Sequence, residues 1–255
     1  MKVYRTKTSL IVFISFLFCI TTYGQPKVIA HRGYWKAAQG AQNSLASWTQ
    51  ACNIGCFGSE FDVWLTADDQ LIVNHDRLYK GIYMTQANAE VICNLKLPNG
   101  ETIPTLEAYL LQAKKHPNTR LILELKSHGN DEREILAAEK ISAMLQQHEL
   151  LERTDIISFS LNACKAFRNL LPQTRIQYLN GDLTPEEVHN LGLNGIDYSF
   201  KTLQRHPEWI EQAHQLGLEV NVWTVNSEEN LRKCIDWKVD YITTDEPELL
   251  QKLLL

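Results

Sequence analysis

The chain has 255 residues, 44% of them hydrophobic, 22% charged and 9% aromatic, with 25 basic against 30 acidic side chains. That composition supports a globular core and excludes a disordered tail, a collagenous fibre and a miniature disulfide scaffold. The acidic balance, with no basic run, argues against a nucleic-acid partner but leaves room for a local cationic pocket that binds a small anion.

Lys2, Arg5 and Lys7 precede a run from Leu10 to Ile20 that is apolar apart from Ser15, and Thr22 and Gly24 follow. A basic start, a short apolar middle and small residues at the end predict a secretory signal peptide over residues 1–24, cleaved after Gly24. The run is shorter than the roughly 20 residues that span a bilayer. An uncleaved N-terminal anchor is the alternative; a lipoprotein reading at Cys19 conflicts with bulky Phe18 before it. Cleavage leaves residues 25–255 with 22 basic and 30 acidic side chains, exported to the periplasm or beyond, with no stable membrane insertion. Five cysteines remain, Cys52, Cys56, Cys93, Cys164 and Cys234. They are scattered and odd in number, which suits buried small apolar residues; the Cys52/Cys56 pair has no second pair to complete a zinc site.

Short β-branched runs then alternate with helical patterns. Val28 to Ala30 opens the first strand, and Asn43 to Ile54 reads as a helix that Gly55 can end. Phe57 to Leu65 is the second strand. A short polar link joins it to Leu71 to Asn74 and predicts a hairpin. Later strands fall at Leu121 to Lys126, Asp155 to Phe159, Ile176 to Leu179, Ile196 to Phe200, Glu219 to Val225 and Tyr241 to Thr244. Asn130 to Leu150 is a long amphipathic helix. Thr184-Pro185-Glu186-Glu187 carries a capping hydroxyl, a proline at the first helical position and a glutamate three residues on. With the hairpin counted as an excursion of the second strand, eight strand–helix units predict a (β/α)8 TIM barrel. An open doubly wound sheet is the alternative, and no glycine-rich dinucleotide turn supports it. Residues of about 77–103 read as an insertion capping one end of the barrel.

Catalytic groups in such a barrel gather where strands end. The first strand ends in His31-Arg32-Gly33. Glu60 and Asp62 alternate on the second strand and therefore face one side. Glu124 and Lys126 repeat that arrangement on a neighbouring strand. Three converging acids repel, and one divalent cation of the hard kind, Mg²⁺ or Ca²⁺, relieves them. A salt-bridge cluster with Arg32 and Lys126 is the alternative. If Thr66 pairs with Leu71 across the turn, Asp62 lies opposite His75, which brings His75 to the acids. His31 and His75 are then placed for general acid and base work. Arg32 and Lys126 suit an anion such as phosphate. His128 is a further pocket candidate.

Read in order, Ala30-His31-Arg32-Gly33, Gly58-Ser59-Glu60-Phe61-Asp62-Val63, Asn74-His75-Asp76, Leu123-Glu124-Leu125-Lys126, Val222-Trp223-Thr224-Val225-Asn226 and Thr243-Thr244-Asp245-Glu246-Pro247 resemble the glycerophosphodiester phosphodiesterase family. The resemblance spans nearly the whole chain after residue 24. It implies a TIM barrel that hydrolyses glycerophosphodiesters, small-molecule substrates, to glycerol 3-phosphate and an alcohol. It also implies His31 and His75 as the general acid/base pair, Glu60, Asp62 and Glu124 as metal ligands, and Arg32 and Lys126 as phosphate contacts. Trp223 matches an aromatic near the substrate; core packing is its alternative role. One position departs: where the family usually reads Pro-Glu-Asn, this chain has Ala41-Gln42-Asn43. Two other functions stay open. One is a phospholipase D- or C-like enzyme acting on lipid, hinted at by Tyr79, Ile82, Tyr83 and Met84 in the insertion. The other is a non-catalytic binding protein on the same scaffold.

Overall fold

Alternation along each strand sorts the side chains of this protein into two environments. In Arg120–Leu125, the residues Leu121, Leu123 and Leu125 join the apolar layer under the helices, while Ile122 belongs to the cluster inside the strands. The computed structural model describes residues 24–255, so the proposed export segment up to Tyr23 lies outside the described residues. Eight parallel strands carry this pattern: β1 (Lys27–Ala30), β2 (Gly58–Leu65), β6 (Arg120–Leu125), β7 (Thr154–Ser158), β8 (Arg175–Tyr178), β9 (Gly195–Ser199), β10 (Glu219–Trp223) and β11 (Tyr241–Thr244). They pair in the order β1-β11-β10-β9-β8-β7-β6-β2, and β2 pairs back onto β1, which closes the barrel. Helices follow the strands and cover the outside, as a TIM barrel requires.

Most barrel strands begin one residue earlier than the apolar pattern predicts, because their first residues (Lys27, Arg120, Thr154, Arg175, Gly195) are polar or glycine yet already paired. The long helix runs Asp131–Gln147 with Asn130 as its cap, and Thr184 and Glu187 form the expected reciprocal capping box. The first helix is shorter at its start than predicted. Ser44 caps Leu45–Asn53, and Asn43 sits outside it with φ +60°, its side chain spent on Asp62.

Strand β3 (Leu71–Val73) returns antiparallel beside β2, as the hairpin reading requires. Its register differs by one residue from the expected one. Leu65 faces Leu71 and Val63 faces Val73, so Asn74, not His75, donates its N–H to the Asp62 carbonyl. The cause is the turn: Thr66 N–H bonds the Gln70 carbonyl, and Asp69 takes the left-handed conformation that ends a three-residue loop. The insertion follows, with a small hairpin of β4 (Leu78–Tyr79) and β5 (Ile82–Tyr83). Trp64, Ile72, Met84, Ile92, Leu97 and Ile103 give it a core of its own. Met84 is therefore buried and no part of an exposed lipid-facing surface. Among the described residues no helix is long and apolar enough to cross a membrane.

The five cysteines among the described residues are unpaired thiols, three of them buried. Burial pushes Cys56, Cys164 and Cys234 up to about 12.

Gly33 ties this frame to the site. Its φ is +76°, and an added Cβ would lie 2.4 Å from Ser47 Oγ in the first helix. A Gly33→Ala variant should lose at least about 1 kcal/mol and melt several degrees lower. Melting followed by circular dichroism checks this; a midpoint unchanged from the parent contradicts it.

Candidate active site

Strands β1, β2 and β6 lie side by side, and their inward residues meet at the C-terminal mouth of the barrel. Glu60, Asp62 and Glu124 are all buried there, with one oxygen from each lying within 4.8 Å of the others. Among the described residues this is the group of acidic, histidine and cysteine side chains with the spacing to hold a metal ion. The surroundings compensate these charges unevenly. Burial raises Asp62, but Lys126 Nζ at 3.1 Å, His75, Arg32 and the Asn43 amide at 2.7 Å outweigh it and hold Asp62 at about 2. Glu60 receives the Arg32 backbone N–H on Oε2 at 2.8 Å, while its Oε1 is buried without a hydrogen-bond partner. Burial, Asp62 and Glu124 together push Glu60 well above the usual carboxylate range. Glu124 is raised by burial and Asp62 to about 7, although its Oε1 lies 2.7 Å from Lys126 Nζ. Burial works against the Lys126 charge, but Asp62 and Glu124 hold the ammonium above its ordinary range. An all-oxygen set with one orphaned carboxylate oxygen fits a hard divalent cation.

Both candidate histidines stand beside this cluster. The Nδ1–H of His31 donates to Asp245 Oδ1 at 2.8 Å. Burial raises Asp245, but the bonds from His31, from Trp35 Nε1 at 3.0 Å and from Asn226 at 2.7 Å bring it down to about 2. The Nδ1–H of His75 donates to Asp76 at 2.8 Å, and the Trp64 indole bonds the His75 carbonyl. Burial lowers the His75 pKa, and Asp62 only partly opposes this. In both rings Nδ1 is engaged, which leaves Nε2 for chemistry.

A cavity of about 100 Å³ is lined by His31, Arg32, Glu60, His75, Glu124 and Lys126. Phe159, Trp223 and Asp197 also line it. Asp62 sits just behind, 1% exposed. Trp223 stands edge-to-face against Phe159 and donates its indole N–H to the Asp197 carbonyl, so it both packs and lines the cavity. Outside lies a larger cleft of about 560 Å³ that shares His75 and is walled by Trp35, Gln42, Tyr79, Leu97 and Pro98. Gln42 accepts from an Arg32 guanidinium nitrogen at 2.7 Å. A neutral acceptor thus steers Arg32 without cancelling its charge.

His128 is not brought to the cavity. Its Nε2 accepts the Leu65 N–H at 3.0 Å and its ring abuts Trp64, a structural position between strand and loop. Four neighbours of the site receive no role from the sequence: Asn43, Asp76 and Asp245, which stand within the quoted motifs, and Asp197. Asp245 was legible from barrel closure, since β11 pairs with β1 and sets the residue after Thr244 beside the residue after Ala30. Asp197 carries the same sign as Glu60, an acid alternating with apolar residues in a strand.

Residues 31–249 match the sequence model of the glycerophosphoryl diester phosphodiesterase family. A glycerophosphodiester phosphodiesterase of Caldanaerobacter subterraneus subsp. tengcongensis is 28% identical over 247 residues, covering 89% of this chain and 97% of its own. The crystal structure of a glycerophosphodiester phosphodiesterase from Parabacteroides distasonis is 49% identical, with a TM-score of 0.89 over 90% of this chain and 97% of that one. An Oleispira antarctica phosphodiesterase, solved in complex with the product sn-glycerol-3-phosphate, shares the fold at 22% identity, with a TM-score of 0.78 over 89% of this chain and 96% of that one.

The uneven compensation at Glu60 yields a stability test. In EDTA at neutral pH, Glu60→Gln should melt higher than the parent by an amount worth about 1–3 kcal/mol, because the amide removes a buried acid that repels its neighbours. Added Mg²⁺ or Ca²⁺ should raise the parent midpoint and leave the variant nearly unmoved. Calorimetric melting in both conditions checks this; equal responses of both proteins to the cation contradict it.

Proposed function

The chain belongs to the glycerophosphoryl diester phosphodiesterase family, and from that premise we propose a full reading of its reaction: hydrolysis of small glycerophosphodiesters to glycerol 3-phosphate and an alcohol, with one divalent cation, His31 and His75. The observation that carries the reading is a buried carboxylate triad at a cavity that two histidines line, each held by its own carboxylate. Glu60, Asp62 and Glu124 would hold the cation, Mg²⁺ or Ca²⁺. When bound it supplies positive charge against the phosphate oxygens.

The other steps belong to the chain itself. Arg32, steered by Gln42, and Lys126, anchored on Asp62 and Glu124, face the cavity and offset the charge of the phosphodiester. Burial favours the neutral ring of His75, so its Nε2 takes the proton of the attacking hydroxyl. His31 Nε2–H gives a proton to the departing alkoxide, with Asp245 holding the ring through Nδ1. One P–O bond forms to the nucleophile and one breaks to the alcohol, and the two proton transfers balance. The basic, then apolar, segment before Gly24 supports export of the enzyme, as proposed from the sequence.

Purified protein should release glycerol 3-phosphate from glycerophosphocholine, glycerophosphoethanolamine, glycerophosphoinositol or glycerophosphoglycerol. EDTA should stop the release, and Mg²⁺ or Ca²⁺ should restore it. Activity on phosphatidylcholine vesicles with none on these soluble diesters would replace this function with a lipid-directed one.

The histidine roles separate by leaving group. His31→Ala and His75→Ala should each lower kcat at least about 100-fold on glycerophosphocholine while remaining folded. On a glycerophosphodiester whose alcohol is 4-nitrophenol, which needs no proton to depart, His31→Ala should recover most of its loss and His75→Ala should not. Because His75 must be neutral, kcat/KM should fall as pH drops through a value below the usual histidine value of about 6.5. Equal rescue of both variants refutes the assignment.

A further inference from the structure

Asp197 is an acid that the reaction above does not use. It lies on β9, flanked by Ile196 and Tyr198, which are fully buried in the outer apolar layer, so alternation turns it into the barrel. It is 1% exposed and lines the inner cavity, and its Oδ1 is buried without a hydrogen-bond partner. Asn221, whose Nδ2 donates to Thr243 Oγ1 at 3.0 Å, also bonds the Asp197 carboxyl, which leaves Oδ1 as its oxygen without a partner. A buried carboxyl oxygen left unpaired carries a desolvation penalty that a ligand hydroxyl would remove.

The two hollows divide the substrate. A phosphodiester has two arms, and its phosphorus must stand among His31, His75, Arg32 and the carboxylates. At about 100 Å³ the inner cavity has room for a three-carbon arm and no large head group. The outer cleft, about 560 Å³ and walled by Trp35, Tyr79, Leu97 and Pro98, takes the alcohol. The glycerol C2 hydroxyl stays close to the ester and hence to the phosphate cluster. The terminal hydroxyl is the group that extends to the far wall.

We propose that Asp197 selects the glycerol arm, its unpartnered Oδ1 hydrogen-bonding the terminal hydroxyl at the inner end of the cavity. This rests on the glycerophosphodiesterase reading and adds a specificity-determining residue to it. Asp197 touches no reacting atom, so its removal should act on KM more than on kcat. A site built to bond a hydroxyl discriminates strongly against the analogue that lacks it.

The test compares glycerophosphocholine with propane-1,2-diol phosphocholine, which keeps the hydroxyl next to the ester carbon and lacks the terminal one; both release choline. The wild-type enzyme should favour glycerophosphocholine at least about 10-fold in kcat/KM. Asp197→Ala should lose at least 10-fold on glycerophosphocholine, mainly through KM, and less than threefold on the analogue. Asp197→Asn, which keeps a hydrogen-bonding group of the same shape, should fall between. Equal losses on both substrates from a folded variant would assign Asp197 to structure and overturn the proposal, as would wild-type enzyme that treats the two alike. Hydrolysis of neither by the wild type would overturn the function itself, and this assignment with it. Hydrolysis of both by the wild type separates the two failures.

Discussion

Three carboxylates buried within a few ångströms of one another are the constraint around which the mouth of this barrel is arranged. Ionised and alone, each would cost several kcal/mol to bury. The chain offsets that cost by spending backbone as well as side chains. Arg32 and Asn43 both adopt left-handed φ values, +55° and +60°. In that geometry the Arg32 N–H reaches Glu60 and the Asn43 side chain bonds Asp62 twice, by amide and by carbonyl. Strained backbone of this kind persists where the surroundings over-determine it. Gly33 allows the turn to fit against the first helix. The compensation is nevertheless concentrated on Asp62, and Glu60 is left with an orphan oxygen. A structural ion-pair cluster would distribute its partners more evenly than this one does.

The opposite end of the barrel supplies the contrast. At the strand starts, Asp155 takes both Arg120 and Arg175, Arg175 also reaches Glu219, and Tyr241 donates to Glu219. There the acids and bases close on one another in a ring. One end of the barrel is thus electrostatically satisfied and holds the strands together, while the other retains unpaired capacity. This is the division of labour between stability and chemistry that TIM barrels follow.

Strand alternation made much of this legible. Glu60-Phe61-Asp62 and Glu124-Leu125-Lys126 announce their inward faces because polar residues alternate with buried apolar ones, and the barrel follows from counting strand–helix units. What escaped were contacts that depend on closure and on turn geometry. Asp245 lies 214 residues from His31 and becomes its neighbour only when the last strand pairs with the first. The hairpin register slipped by one because a left-handed Asp69 closes a three-residue loop, a feature that hydrophobic pattern does not encode. His75 still reaches the cavity, since β3 ends at Val73 and strict alternation no longer governs it. The helical pattern predicts Asn43 inside the first helix; Ser44 caps that helix instead, and the Asn43 side chain bonds Asp62.

The two histidines are held by different parts of the molecule, and this bears on how the site meets its substrate. His31 is fixed by barrel closure, with its backbone N–H on the Thr244 carbonyl and its ring on Asp245. His75 is fixed by the excursion: Trp64 holds its carbonyl, and the same Trp64 packs into the separate core of the insertion with Met84, Ile92 and Leu97. That insertion also supplies Tyr79, Leu97 and Pro98 to the wall of the outer cleft. The barrel therefore sets the inner cavity with Arg32 and Lys126, while the excursion sets one histidine and much of the wall of the outer cleft. The insertion meets the cavity through His75, and it also holds the start of the first helix, where Glu101 accepts the Leu45 and Ala46 N–H groups. The outer cleft and the placement of His75 are thus coupled in one small hydrophobic core, while the carboxylate triad rests on the barrel strands.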